Sequence, residues 1–266
     1  MLELLREFYD LLAAGKAGLS IDGLLALGIV IVAAVLFAVA LLRTGGAYRV
    51  SLRSIPAYDL LKQAITDAAE SGDVIHLSAG SGTVGGASSA DTLAGVQAAG
   101  HLLARAATEG VATLTTTASP LVLPLLQSAA EQAYRRAGAD DEYDPERVRF
   151  AGDDRNAYAA NLTDALRTEG VSTSMLLGSL AEETLFIGER GRSAGVTQVV
   201  GTASTRALPY AVTTADATIV GEEMYAAGAY LGGQLAQKAS LLAQDWLRLA
   251  VVAAIVAGVI LRSLGW

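Results

Sequence analysis

Leu24-Leu-Ala-Leu-Gly-Ile-Val-Ile-Val-Ala-Ala-Val-Leu-Phe-Ala-Val-Ala-Leu-Leu42 is the stretch around which the rest of the chain is arranged. It contains no charge, no proline and no side-chain amide. At ~1.5 Å of rise per residue such a helix spans about 30 Å, the thickness of a bilayer's hydrocarbon core. A helix on the surface of a soluble domain keeps one polar face, and this one has none. The run is read as a transmembrane helix over residues 22–43, and every other segment is placed relative to a membrane.

The residues before it, 1–20, read as an amphipathic helix. Leu2, Leu5, Phe8, Tyr9 and Leu12 recur at helical spacing, with Glu3, Arg6, Glu7 and Asp10 between them. A basic leading region and a small-residue cleavage site are both missing, so a signal peptide is not expected. An interfacial helix lying on the membrane or on a neighbouring subunit is the functional reading; an extramembrane tail is the bland one.

A second span is expected near the other end. After Gly232-Gly233 a helix begins that carries an apolar stripe and becomes almost wholly apolar between Trp246 and Trp266. The two Trp residues stand about 30 Å apart along a helix, at the depth of the two bilayer interfaces. Arg248 and Arg262 would snorkel from either end. The alternative is a buried core helix, because the central apolar run is short. Ala250, Ala254 and Gly258 fall on one face and would let a second helix approach closely, either the first span or another subunit. Against that stands the abundance of Ala throughout the chain. Arg43, Arg49, Arg53 and Lys62 follow the first span, and Lys238 and Arg248 precede or enter the second. Only Arg6, Lys16 and Arg262 lie on the other side. The bias places the middle segment in the cytoplasm, with the two-pass protein in the inner membrane.

Between the spans, over 55–233, short β-rich runs alternate with helical segments. Strands are expected at 74–78, 112–117, 148–151, 173–177, 197–200 and 217–220, each followed by helical sequence. That alternation predicts an α/β domain: a mostly parallel, doubly wound sheet in a Rossmann-like three-layer sandwich. Apolar residues make up 52% of the 266 and charged residues 17%, against roughly 45–50% and 25% in an ordinary soluble domain. Membrane segments added to a globular domain produce that tilt. Cysteine is absent, which removes disulfides, thiolate metal sites and a thiol nucleophile. The net charge of −8, with no Lys/Arg cluster outside the membrane flanks, excludes the basic face that nucleic acid requires.

Gly80-Ser81-Gly82-Thr-Val-Gly85-Gly86 matches G-x-G-x-x-G between an expected strand and helix, the context of a dinucleotide-binding loop. The next strand ends in Thr115-Thr-Thr-Ala-Ser119, with no carboxylate for a ribose, and no Gly-Lys-Ser/Thr follows. The competing reading is a Gly-rich packing turn. Acidic pairs recur after strands, at Asp153-Asp154, Glu182-Glu183 and Glu222-Glu223, along the edge where ligands bind to a parallel sheet. They could hold Mg²⁺ or cap the following helices. Glu182 and Glu222 are the preferred candidates, on the expectation that their strands are central. His76 and His101 stand near no nucleophile motif, and G-x-S-x-G is absent, so a Ser-His-Asp hydrolase is not expected. No catalytic constellation is complete and no cofactor is assigned.

His76-Leu-Ser-Ala-Gly-Ser-Gly82, Asp91-Thr-Leu-Ala-Gly95, Ala133-Tyr-Arg-Arg-Ala-Gly138, Tyr143-Asp-Pro-Glu-Arg-Val-Arg-Phe150 and Ile219-Val-Gly-Glu-Glu-Met-Tyr-Ala-Ala-Gly-Ala-Tyr-Leu231 resemble a family of bacterial membrane proteins known as a domain of unknown function. The resemblance covers nearly the full chain. It implies a membrane-tethered α/β domain and supplies no catalytic residues. The function expected is a membrane-anchored scaffold or assembly subunit, a homo-oligomer whose partners are the lipid bilayer and further copies. The alternative is a nucleotide- or phosphometabolite-binding enzyme or sensor with a small-molecule ligand at Gly80–Gly86.

Overall fold

The computed structural model describes residues 21–44 and 52–263. The amphipathic segment 1–20, Arg49 and Trp266 lie outside the described residues. The chain divides into two units. One contains the apolar helices and the other is the α/β domain Ser51–Gln234.

In the first unit, α1 (Ile21–Thr44) and a long helix, Leu235–Ser263, are both long and apolar enough to cross a membrane. They meet through alanines: Ala40, Ala239 and Ala243 are buried, with Leu36, Leu242 and Trp246 packed around them. Ala239 and Ala243 are one helical turn apart, and their small side chains let the two backbones approach. The Arg43 guanidinium lies 5.4 Å from the Trp246 ring centroid, a cation–π contact at the end of α1. The expected small-residue face behaves differently. Ala250, Ala254 and Gly258 are exposed, and a Cβ added at Gly258 would meet nothing within 4 Å. The first apolar helix is therefore not their partner. The contact falls about two to three turns earlier, where Ala239 and Ala243 face Ala40.

The α/β domain opens with α2 (Pro56–Ser71), which has Pro in its first turn and Gly72 in the left-handed conformation at its end. There follow β1 (Val74–Gly80), α3 (Ser89–Glu109), β2 (Thr113–Thr117), α4 (Leu123–Ala137), β3 (Val148–Phe150) and α5 (Arg155–Thr168). The second half contains β4 (Val171–Ser179), α6 (Glu183–Ser193), β5 (Thr197–Thr202), α7 (Leu208–Thr214) and β6 (Ala217–Val220). A 3₁₀ segment, Gly221–Ala226, and a π turn, Gly228–Gly232, close the domain before α8 (Leu235–Ser263). All six strands pair in parallel, in the order β3-β2-β1-β4-β5-β6. The two halves wind outward from β1 and β4, and the crossovers place helices on both faces. α2, α3 and α4 bury one apolar cluster against the sheet, and α5, α6 and α7 the other.

β1 and β2 are buried along their whole length, so neither turns a face to solvent, although one face of β1 carries His76 and Ser78 and β2 is Thr-rich. Burial of His76 is met by a hydrogen-bonded row across three strands: Nε2 lies 2.9 Å from Thr116 Oγ1 and Nδ1 2.8 Å from Ser174 Oγ. Desolvation lowers the pKa of the imidazole to about 3, so it is neutral. At their carboxyl ends β1 and β4 shift register and come close. Gly80 has φ +81°, and a Cβ there would sit 2.5 Å from the Ser179 carbonyl oxygen. Only glycine tolerates both conditions.

Candidate functional site

In a doubly wound sheet the crevice for a ligand opens at the carboxyl ends of the two strands where the winding reverses. Here those strands are β1 and β4. The loop Gly80–Gly86 leaves one and Glu182-Glu183 follows the other, so the structure brings Gly80, Ser81, Gly82 and Gly85 to the same edge as Glu182.

The loop is folded on itself. The Ser81 amide donates to the Ser179 carbonyl at 3.0 Å, and the Thr83 amide to Ser88 Oγ at 3.3 Å. The Gly85 and Gly86 amides both donate to Ser89 Oγ, at 2.9 and 3.0 Å. Ser88 and Ser89 in turn donate to the Thr83 and Gly86 carbonyls. A phosphate-binding loop turns its amides outward toward the anion; these four are occupied from within. Gly82 serves packing: a Cβ there would stand 2.5 Å from Ser179 Cβ and closer still to Thr92 Oγ1.

The two adjacent glutamates diverge. The Glu183 side chain is fully buried at the start of α6. Its Oε1 accepts from the Ala181 amide at 3.0 Å and from the Ser81 hydroxyl. Its Oε2 has no hydrogen-bond partner and lies 3.9 Å from Arg155 Nε. Glu182 points outward between Arg155, at 3.5 Å, and Arg206, at 3.4 Å. Its pKa is lowered, first by a backbone hydrogen bond and then by the two guanidiniums. The carboxylate inside the crevice is thus Glu183, and Glu182 is a surface ion-pair residue. Glu222 needs a further correction: β6 is the edge strand, not a central one, so Glu222 follows the rim of the sheet rather than the crevice.

Beside the crevice, the Tyr158 hydroxyl and Ser78 Oγ are 2.6 Å apart, and the Gly80 amide donates to Ser78 Oγ at 3.0 Å. Burial raises the tyrosine pKa to about 12. Thr83 Oγ1 and Ser119 Oγ, at 2.8 Å, tie the loop to the end of β2. Asp154 caps α5 by accepting from the Asn156 and Ala157 amides, as a carboxylate at a helix start does. Arg155, Tyr158, Ser119 and Arg206 carry no sequence signal of a site; they enter it only through the sheet order. Chemically, the crevice offers a hydroxyl–carboxylate pair, Ser81–Glu183, in which Oε1 is taken up by protein donors and Oε2 is not. His76 is committed within the sheet, and His101 lies against Gly232 in the middle of α3. Among the described residues no group of three or more His, Cys, Asp or Glu is placed to hold a metal ion. Cavities of about 250 and 390 Å³ open at the opposite, amino edge of the sheet. The first is lined by Val111, Tyr134 and Arg147, the second by Gln63, Asp67 and Ser172.

Comparison with curated proteins and with solved structures yields no match. A family model described as a domain of unknown function, DUF6754, matches residues 20–266, and the chain belongs to that family.

Proposed function

We propose that the protein is a membrane-anchored, self-associating scaffold or assembly subunit. In this reading α1 and α8 are two spans of a bacterial inner membrane and the Rossmann-like domain is cytoplasmic. The carrying observation is the bare apolar surface of the two helices. From Ala250 to Ser263 every residue of α8 is exposed, including Ala250, Ala254 and Gly258, and α1 exposes Ile29 to Val32. Lipid accounts for most of such a surface, and a face of small residues is suited to close packing against another copy. The positive-inside bias of Arg43, Arg53, Lys62 and Lys238 supports the sidedness. Native mass measurement or crosslinking in mild detergent tests self-association. A defined oligomer is expected, reduced to monomer by Ala254→Leu with Gly258→Leu. Monomer alone in the unaltered chain overturns the reading.

A second reading, a nucleotide- or phosphometabolite-binding enzyme or sensor, is supported by the strand order: Gly80–Gly86 follows β1, which pairs with β4 where the winding reverses, and sheets of this winding commonly bind dinucleotides at that point. A thermal-shift panel of nucleotides, with and without Mg²⁺, tests it. Gly86→Val is the suitable control, because a Cβ at Gly86 meets nothing within 4 Å, whereas Gly82→Val would disturb packing on Thr92 and Ser179. Stabilisation by a nucleotide that Gly86→Val removes would support this reading; no stabilisation by any of them counts against it.

A further inference from the structure

We propose that the carboxyl rim of the sheet, on the α3–α4 side, is a docking surface for a basic protein segment with apolar anchors. It combines exposed apolar side chains from five places in the chain with a surplus of carboxylates.

The apolar part is Leu121 (62% exposed), Leu93 (46%), Phe150 (44%), Tyr225 (43%) and Leu125 (40%). Their placement follows from contacts within the domain. A Cβ at Gly100 would meet Ala129 Cβ at 3.7 Å, which sets α3 and α4 side by side. Two turns earlier on both helices, Leu93 comes level with Val122, between Leu121 and Leu125. Phe150 ends β3 and is in register with Thr117, from which the chain runs on to Leu121. The Tyr225 hydroxyl donates to Asp91, two residues before Leu93. Val220, also exposed, continues the rim at the end of β6, and exposed Phe186 lies at the start of α6 on the other face of the sheet. A soluble surface scatters such residues singly; a run of them on one edge marks a contact site.

Charge selects the occupant. Asp91, Asp153 and Glu222 lie on this side of the rim, where Arg53 is paired with Glu223; Asp154 and Glu182, at the starts of α5 and α6, extend the acidic edge onto the opposite face, where Arg155 and Arg206 are both engaged with Glu182. An anionic lipid surface attracts Lys/Arg and is repelled by such an edge. A second copy meeting rim to rim would set carboxylates against carboxylates. A segment presenting Leu or aromatic anchors between Lys or Arg matches both features, the anchors on the leucines and Phe150 and the cations on Asp153 and its neighbours. The inference is independent of self-association through α1 and α8, so either can fail alone.

The test uses the full chain in nanodiscs of zwitterionic lipid, with empty discs as blank. The probes are a labelled amphipathic helix of Leu and Lys and its Leu and Glu twin, read by fluorescence anisotropy. The Leu–Lys helix is expected to bind, more weakly as salt rises, and the Leu–Glu helix not to bind. Leu121→Ser with Phe150→Ser should weaken binding about tenfold, and Asp153→Lys should weaken it through charge alone. All three side chains are exposed, so unchanged melting is the check on folding. Equal binding of both helices, or binding indifferent to these substitutions, overturns the proposal. So does a result in which the rim substitutions instead abolish association with anionic vesicles or break a dimer, which would assign the rim to lipid or to a second copy.

Discussion

Gly95 and Gly100 lie five residues apart in the interior of α3, and replacing each by alanine is the same chemical change with opposite expected outcomes. Helix propensity alone makes both substitutions stabilising, by about 0.8–1.0 kcal/mol. At Gly100 the added Cβ meets Ala129 Cβ at 3.7 Å, ordinary van der Waals contact. Gly100→Ala should therefore realise about 0.5–1 kcal/mol of that gain. At Gly95 the Cβ would lie 3.0 Å from Ala79 Cα and far inside contact with the Leu177 carbonyl oxygen. Those neighbours are backbone of β1 and β4, the two central strands, and no rotamer change relieves them. α3 must withdraw from the sheet, although it buries Ala94, Ala98, Ala99, Leu102 and Leu103 on the same face. Overpacking of this kind costs about 1–3 kcal/mol, and a clash with two strands belongs at the upper end. Net of propensity, Gly95→Ala should destabilise the domain by about 2 kcal/mol. The two variants then differ by about 3 kcal/mol, or roughly 6–12 °C in melting temperature for a domain of this size. The assay is thermal unfolding of the full chain in mild detergent, followed by far-ultraviolet circular dichroism. If Gly95→Ala melts with or above Gly100→Ala, the close approach of α3 to β1 and β4 is wrong, and with it the packing that positions the Gly80–Gly86 loop.

Tyr158→Phe should cost about 1–3 kcal/mol at neutral pH, since it strips Ser78 Oγ of a buried partner. Because burial raises the Tyr158 pKa from 10 to about 12, its contribution is complete below pH 10 and is lost as pH rises toward 12. That loss is about 2–3 kcal/mol, and an alkaline melting series should lose this slope in the Phe variant. His76 has the opposite sense. Its pKa is lowered from 6.5 to about 3, so stability is present above pH 6.5 and falls as pH drops toward 3, by on the order of 5 kcal/mol. Subtracting the acid melting series of His76→Gln from that of the unaltered chain isolates this slope from the carboxylates. Tyr58 and Tyr230 stack with ring centroids 5.0 Å apart, and each hydroxyl donates at 2.7 Å, to the Glu223 and Arg53 carbonyls respectively. Tyr230→Ala should cost about 2–3 kcal/mol and hasten tryptic cleavage near Arg53, where this clasp ties the entry of the domain to its exit. Unchanged cleavage would show that the clasp does not hold the two ends together.

The strands expected at 74–78 and 112–117 were legible because β-branched and apolar residues cluster between turn signals, and the long helices because their apolar residues recur at the right period. The helix after β6 was not. The segment Gly221–Gly232 alternates Gly and Ala with charged and aromatic residues, and its 3₁₀ and π turns follow from packing Met224, Ala227 and Ala229 rather than from local preference. Within the site, the Gly80–Gly86 motif was visible, but the inward direction of its amides was not. Ser88 and Ser89 read as ordinary polar residues before a helix, although they are the groups that take up those amides. Glu182 and Glu183 are indistinguishable as letters. One residue of helix phase sends the first toward two arginines in solvent and the second under the loop.

The elements themselves are written locally in the chain: two apolar helices, with alternating strands and helices between them. Those depend on composition and on periods of 2 and 3.6 residues, which are local properties of a chain. Which strands are neighbours is settled in three dimensions, because pairing joins residues far apart in the chain. β1 lies beside β4, with Ser78 against Leu176, and β6 lies at the edge. From that order follow the burial of Glu183, the displacement of Glu222 from the crevice, the closing of the glycine loop and the apolar, acidic rim. Each depends on what stands across a strand or a helix, and local sequence carries no record of it.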